Sequence, residues 1–162
     1  MNIIPAAALF AACTIIGLRQ SRMLRLRAEN LRELEQLCAD TALEMRCTAP
    51  LLERIAPSLH GEFAAMLNSE LESGCGVKQA WSSACGRLGG CAFCKGEELQ
   101  LLKELGNSLG TTAADGQLKL LELYRGRFSE LRAAAAEEYH QKGRLLRSVG
   151  ALAGAGAAVL VL

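Results

Sequence analysis

The residues of this chain best suited to chemistry are cysteines. The 162-residue sequence has seven, and four fall in one region, at Cys75, Cys85, Cys91 and Cys94. Cys91 and Cys94 form a CxxC pair, a spacing found in zinc knuckles and redox-active dithiols. However, nine residues separate Cys75 from Cys85, more than a second zinc knuckle has, and no βαβ pattern surrounds the pair. The pattern favours free thiols, and a metal site and a redox pair are the alternatives.

Other catalytic constellations are absent from the sequence. His60 and His140 lie 80 residues apart, and neither belongs to a HExxH metal motif. There is no GxxxxGK[ST] phosphate loop and no GxSxG nucleophile elbow. The sequence therefore predicts a protein that is not an enzyme, with no cofactor and no small-molecule substrate.

Charged residues are confined to the middle of the chain. All 18 basic and 17 acidic residues lie between Arg19 and Arg147, and their formal net charge is +1. This balance gives no support for a nucleic-acid partner, which requires a basic excess. The sequence is 51% hydrophobic, and it divides into an apolar segment 1–18, a charged middle 19–147 and an apolar segment 148–162.

Each apolar segment is expected to cross a membrane as a helix. At 1.5 Å per residue the first would span roughly 27 Å and the second about 22 Å, against a hydrocarbon core of ~30 Å. The shorter segment needs thinned lipid or basic side chains that extend to the interface. A cleavable signal peptide at the N-terminus and two buried helices of a soluble protein are the alternatives.

Basic residues flank both apolar segments on their inner sides and predict the topology. They are Arg19, Arg22, Arg25, Arg27, Lys142, Arg144 and Arg147. By the positive-inside rule the middle 129 residues are cytoplasmic and both termini lie across the membrane. Small residues four apart, which let membrane helices approach closely, are expected to pack the two spans together or against another membrane protein: Ala8, Ala12, Gly150 and Gly154.

The middle is predicted to be an all-α helical bundle. Only six residues between Arg19 and Ser148 are β-branched, too few for a sheet. Apolar residues recur at helical spacing in three stripes that predict the core, with Trp81 filling volume and Cys38 acting as a small hydrophobic residue. The stripes are Leu31, Leu34, Cys38, Ala42, Met45; Leu59, Phe63, Met66, Leu67, Leu71; and Leu118, Leu121, Tyr124, Phe128, Leu131, Ala135.

Proline and glycine set the expected helix boundaries. The first long helix should end at Thr48-Ala-Pro50, and the last should run unbroken into the C-terminal apolar segment. Between them we expect a short helix from Pro50 to Pro57, a helix from Ser58 to Gly74, a short helix over 77–85, a loop over 86–96, a helix over 97–108, a connector over 111–116, and a helix start near Gln117.

The connector before the last helix has two interpretations. In the first, Gly106 and Gly110 end a helix in a left-handed conformation and Gln117 caps the next, which makes a helical hairpin. In the second, these residues and Lys119 also form a docking surface, because the glycines let another backbone approach.

The sequence resembles the bacterial stage III sporulation protein AB family of endospore-forming Firmicutes nearly from end to end. The resemblance rests on an apolar start with Gly17, an apolar end, and the order and spacing of the segments between them. These are LRELEQLCADTALEM, TAPL, SELESGCGVKQAW with Trp81, ELGNSLG, DGQLK and KGRLLRSVG. The segment from Cys91 to Cys94 matches no pattern of that family.

The resemblance implies a helical domain similar to the type II secretion system F domain. It also implies a platform component of the envelope-spanning assembly that links mother cell and forespore, placed in the mother-cell membrane around the forespore. The implied partners are other stage III sporulation membrane proteins and a cytoplasmic ATPase, since this chain has no nucleotide motif. The alternative is a membrane-tethered metal- or thiol-binding protein that uses the four-cysteine region.

Overall fold

The computed structural model describes residues 3–48, 59–111 and 113–161, which form five α-helices and no strand. The all-α prediction is therefore confirmed for these residues. Leu and Ala, the two most frequent residues of the sequence, lose little side-chain freedom in a helix. The helices are α1 (Ile3–Thr48), α2 (Glu62–Glu72), α3 (Val77–Gly89), α4 (Gly96–Ser108) and α5 (Ala114–Val161).

The chain packs as two compact units. The terminal unit comprises Met1–Ala28 and Ala133–Leu162, and the central unit comprises Glu29–Arg132. The two units are defined by which residues pack together, whereas the predicted boundaries at residues 18 and 148 rest on where the charged residues begin and end. The structure therefore does not test those boundaries, and they stay predictions.

The core of the central unit follows the predicted helical stripes. Met66, Leu71 and Met45 remain partly exposed, whereas the other side chains of the first two stripes are buried. In the third stripe only half are buried: Leu118, Tyr124 and Leu131 are partly exposed. Burial of each large apolar side chain contributes about 1.5–3 kcal/mol to folding. The large side chains buried here are Leu31, Leu34, Leu37, Leu59, Phe63, Leu67, Trp81, Leu88, Leu102, Leu105, Leu109, Leu121 and Phe128.

The start of α2 is fixed by a residue of α1. The backbone N–H of Glu62 donates to the Glu33 Oε2 at 2.9 Å, and Gly61 precedes it with φ +117°. A Cβ at Gly61 would lie 3.0 Å from the Glu33 Cβ. The helix therefore begins at Glu62; the predicted cap Ser58 and the predicted helix 50–57 lie outside the described residues. Its end at Glu72, before Gly74 at φ +82°, agrees with the prediction.

The loop predicted over residues 86–96 is too long, because α3 continues to Gly89. Leu88 is fully buried, and Gly89 lies so close to α4 that a Cβ there would be 2.8 Å from the Leu99 Cδ2. Packing of Leu88 and Gly89 thus keeps the backbone helical through Gly86 and Gly89. α4 begins at Gly96, where the buried Glu98 carboxylate accepts the Lys95 N–H at 3.2 Å.

α5 begins three residues earlier than predicted, at Ala114, and Gln117 already donates its N–H to the Ala113 carbonyl at 3.0 Å. The connector after α4 is correspondingly shorter, and Thr112 within it lies outside the described residues. From Ala114 the helix runs without a break to Val161, as predicted.

Within the described part of the chain, no helix has a stretch both long and apolar enough to cross a membrane. Most side chains of segments 1–18 and 148–162 lie outside the described residues. The two predicted membrane spans therefore gain no support from the structure.

Candidate functional site

Trp81 and Gly106 form the packing contact that positions the end of α4. Trp81 is 3% exposed, as its core assignment predicted, and its indole Nε1 donates to the Leu102 carbonyl at 2.9 Å. The Phe63 ring packs edge-on to the indole, with centroids 4.9 Å apart. A Cβ at Gly106 would lie 2.2 Å from the indole Cδ1 and Nε1. The close approach expected at Gly106 is thus made by Trp81 of α3. Gly106 itself lies within helix α4, so the predicted left-handed helix end at this residue is wrong.

The other predicted docking residues lie at the α4–α5 connection. Gly110 follows the buried Leu109, is exposed, and has φ +80°. This confirms the left-handed conformation that the sequence predicted there. Lys119 is exposed on the second turn of α5, and Gln117 is partly exposed. The predicted docking surface therefore reduces to Gly110, Gln117 and Lys119 and stays a prediction, whereas Gly106 packs against Trp81.

The four cysteines occupy three different settings. Cys75 lies between α2 and α3, Cys85 is buried within α3, and Cys91 and Cys94 lie between α3 and α4. The Cys94 N–H donates to the Cys91 carbonyl at 3.1 Å, which makes a turn of the CxxC. Among the described residues, no group of three or more His, Cys, Asp or Glu side chains could hold a metal ion. The structure thus does not support the metal-site alternative.

Burial keeps the core thiols protonated. It raises the pKa of Cys85 to about 11, which Lys103 opposes and Cys94 reinforces. It raises the pKa of Cys38 to about 12, in agreement with a role as a small hydrophobic residue. The pKa of Cys91 is also raised, by partial burial and by the Glu62 carboxylate. Because the thiolate is the nucleophile and the metal ligand, these shifts disfavour both uses at neutral pH.

Small residues bring the two helical segments of the terminal unit together, at positions other than those predicted. Gly17, Ser21 and Gly143 are buried, and a Cβ at Gly143 would lie 3.3 Å from the Ser21 Oγ. The four-residue spacing of Gly17 and Ser21 is the signal that could have found them. The predicted Ala8 and Ala12 are exposed, and Gly150 and Gly154 lie outside the residues whose side chains are described.

An ion-pair network in the terminal unit was also missed. The Arg27 Nη1 lies 2.8 Å from the Glu138 Oε2, and the Lys142 Nζ lies 3.0 Å from the Glu138 Oε1. The Arg27 side chain is only 10% exposed and that of Glu138 is 23% exposed. The four-residue spacing of Glu138 and Lys142 on one helix predicts their pairing. Arg27, however, is 111 residues away from Glu138 in sequence. No local pattern connects them.

Comparison with known proteins places the whole chain in one family. The family model described as stage III sporulation protein AB matches residues 2–162. No curated protein and no solved structure matches the chain. The family match covers both compact units and includes every segment on which the resemblance in the sequence rests. The chain therefore belongs to the stage III sporulation protein AB family, which places it in sporulation.

Proposed function

We propose that this chain is a non-enzymatic membrane platform component of the secretion-like channel complex between mother cell and forespore, similar to the type II secretion F protein. In this proposal its apolar ends insert into the mother-cell membrane around the forespore. Its middle faces the cytoplasm, and its termini lie across the membrane. Its partners are other stage III sporulation membrane proteins and a cytoplasmic ATPase.

The observation that carries the proposal is the position of the exposed large apolar side chains. Among the described residues there are eight, and six belong to the terminal unit. Exposed apolar surface of this kind marks a site that contacts lipid or another protein. The six are Ile15, Ile16, Leu18, Leu145, Val149 and Leu152.

The charge pattern of the two apolar segments and their flanks supports a lipid environment for these residues. Residues 1–18 and 148–162 contain no charged side chain, and the basic residues begin at once on the inner side of each. Charges on that side and apolar residues beyond it are the pattern of a membrane-inserted helix with a cytoplasmic flank.

The central unit supports a binding role rather than a catalytic one. Its core thiols Cys38 and Cys85 are held protonated by burial, so they are poor nucleophiles. The connection between α4 and α5 offers an exposed cation, Lys119, on a helix that begins only five residues earlier. A rigid helix start that presents polar side chains is suited to docking a partner protein.

The experiment that tests the platform role replaces Lys119 with Glu in the full-length chain in a sporulating host. We expect sporulation and co-purification of the ATPase to be lost while the thermal unfolding of the purified chain is unchanged, because an exposed charge contributes little to stability. Arg127→Glu is the matched control, since Arg127 is another exposed cation on α5, and it should sporulate normally. Normal sporulation of Lys119→Glu, or a defect that always accompanies unfolding in variants of residues 106–119, would remove the docking role.

A further inference from the structure

The two compact units carry charges of opposite sign, which the overall charge of +1 conceals. The terminal unit has seven basic and two acidic residues, a formal charge of +5. The central unit has the remaining 11 basic and 15 acidic residues, a formal charge of −4. A basic excess confined to the unit that carries six of the eight exposed large apolar side chains described favours a partner that is apolar in one part and anionic in another.

The arginines of α1 lie directly beside those apolar side chains. Arg19 and Arg22 are exposed, and each follows an exposed apolar residue by four positions, Ile15 and Leu18 respectively. Positions four apart share a helix face and differ in height by roughly 6 Å. This separation matches the step from acyl chains to headgroups, where an arginine stem lies along apolar surface and its guanidinium reaches the polar layer.

Both acidic residues of the terminal unit bond to groups other than Arg19 and Arg22. Glu138 pairs with both Arg27 and Lys142, and the Glu137 carboxylate accepts a hydrogen bond from the Gln141 amide at 2.5 Å.

We propose that the terminal unit selects anionic phospholipids, with Arg19 and Arg22 binding the lipid phosphates. A guanidinium is suited to this role because its planar donors pair with two phosphate oxygens at once. The proposal rests on the membrane insertion that the proposed function requires.

The test reconstitutes the full-length chain into vesicles of equal parts phosphatidylglycerol and phosphatidylcholine. After extraction in a mild detergent, mass spectrometry measures the ratio of the two lipids that remain bound. We expect about fivefold enrichment of phosphatidylglycerol at low salt, which falls toward the bulk ratio in 0.5 M salt, since salt screens exposed charges. The variant Arg19→Gln/Arg22→Gln should lose most of the enrichment.

The matched control is Arg125→Gln/Arg127→Gln, which removes two exposed arginines from the central unit and should keep the wild-type enrichment. Insertion is measured separately, as resistance to alkaline carbonate extraction from vesicles of phosphatidylcholine alone. A chain that inserts but retains the two lipids in the bulk ratio overturns this inference and leaves the proposed function in place. Equal loss of enrichment in both double variants also overturns it. A chain that fails to insert overturns the proposed function and this inference together.

Discussion

The indole of Trp81 fills the space that a side chain at position 106 would need. A Cβ built on Gly106 would lie 2.2 Å from two atoms of the ring, well inside van der Waals contact. The indole cannot withdraw freely, because its Nε1 donates a hydrogen bond to the Leu102 carbonyl and its ring packs against Phe63. Trp81 and Gly106 therefore form a close contact between helices α3 and α4, in addition to the contact of Gly89 with Leu99.

This contact predicts that Gly106→Ala destabilises the chain. The overpacking costs about 1–3 kcal/mol, which exceeds the ~1 kcal/mol that alanine contributes within a helix. Gly126→Ala on α5 is the control, because nothing lies within 4 Å of its Cβ position, and it should raise stability. Thermal unfolding of the purified full-length variants measures both changes. A Gly106→Ala variant that unfolds no earlier than wild type would contradict the packing account.

Gly110 predicts a loss of stability that comes from the backbone alone. It has φ +80° and no atom within 4 Å of its Cβ position, so an alanine there meets strain but no clash. We expect Gly110→Ala to cost about 1 kcal/mol. Gly110→Asn should cost less, since asparagine tolerates the left-handed region better. If the two variants unfold at the wild-type temperature, residue 110 is not left-handed in solution.

The features of the fold that can be predicted from the sequence are those that depend on residues close together in the chain. The apolar stripes identified ten of the 20 buried apolar residues described, because a helix needs one apolar face to fold onto a core. Most of the others lie on α3 and α4, where no stripe was predicted. The end of α1 at Thr48 agrees with the proline two residues later, which disfavours helical backbone before it. The left-handed Gly110 after α4 was also predictable, since glycine is the usual residue there.

The misassigned features depend on residues far apart in sequence. The glycine-rich stretch from Gly86 looked like a loop, but Leu88 and the contact of Gly89 with Leu99 keep its first residues helical. At the candidate docking surface, the sequence indicated Gly110 and Lys119 by residue type alone. It could not indicate that Gly106 faces Trp81, because only the packing of α3 on α4 brings them together.

Glu138 is expected to matter more to stability than an equally paired surface glutamate. Glu138→Gln removes the carboxylate charge that lies 2.8 Å from the largely buried Arg27, and we expect a loss of about 1–3 kcal/mol. The control is Glu122→Gln, which breaks an exposed pair with Arg46 and should cost less than about 0.5 kcal/mol. Unfolding of both variants in the same detergent provides the comparison. Equal losses would mean that burial of Arg27 has no energetic consequence.

The buried thiols predict a decline of stability in alkali. A thiol has a pKa near 9.0 when unperturbed, but about 11 at Cys85 and about 12 at Cys38 in the folded chain. Below pH 9 both states keep the proton, so the thiols have no effect. Above pH 9 the unfolded chain loses protons that the folded chain retains, and the free energy of unfolding falls.

The variant Cys85→Ala isolates one of these contributions. Denaturant titrations between pH 8 and 11 should show a shallower decline than wild type, whatever the change in stability at neutral pH. An unchanged slope would contradict the raised pKa of Cys85.

Membrane topology is the most direct test of the central claim, a sporulation component anchored by both ends with its middle in the cytoplasm. Two reporters, one active only in the cytoplasm and one active only outside it, are each placed at Asn107 and after Leu162 in a sporulating host. The account predicts the cytoplasmic signal at Asn107 and the opposite signal after Leu162. A cytoplasmic signal at both positions would contradict it.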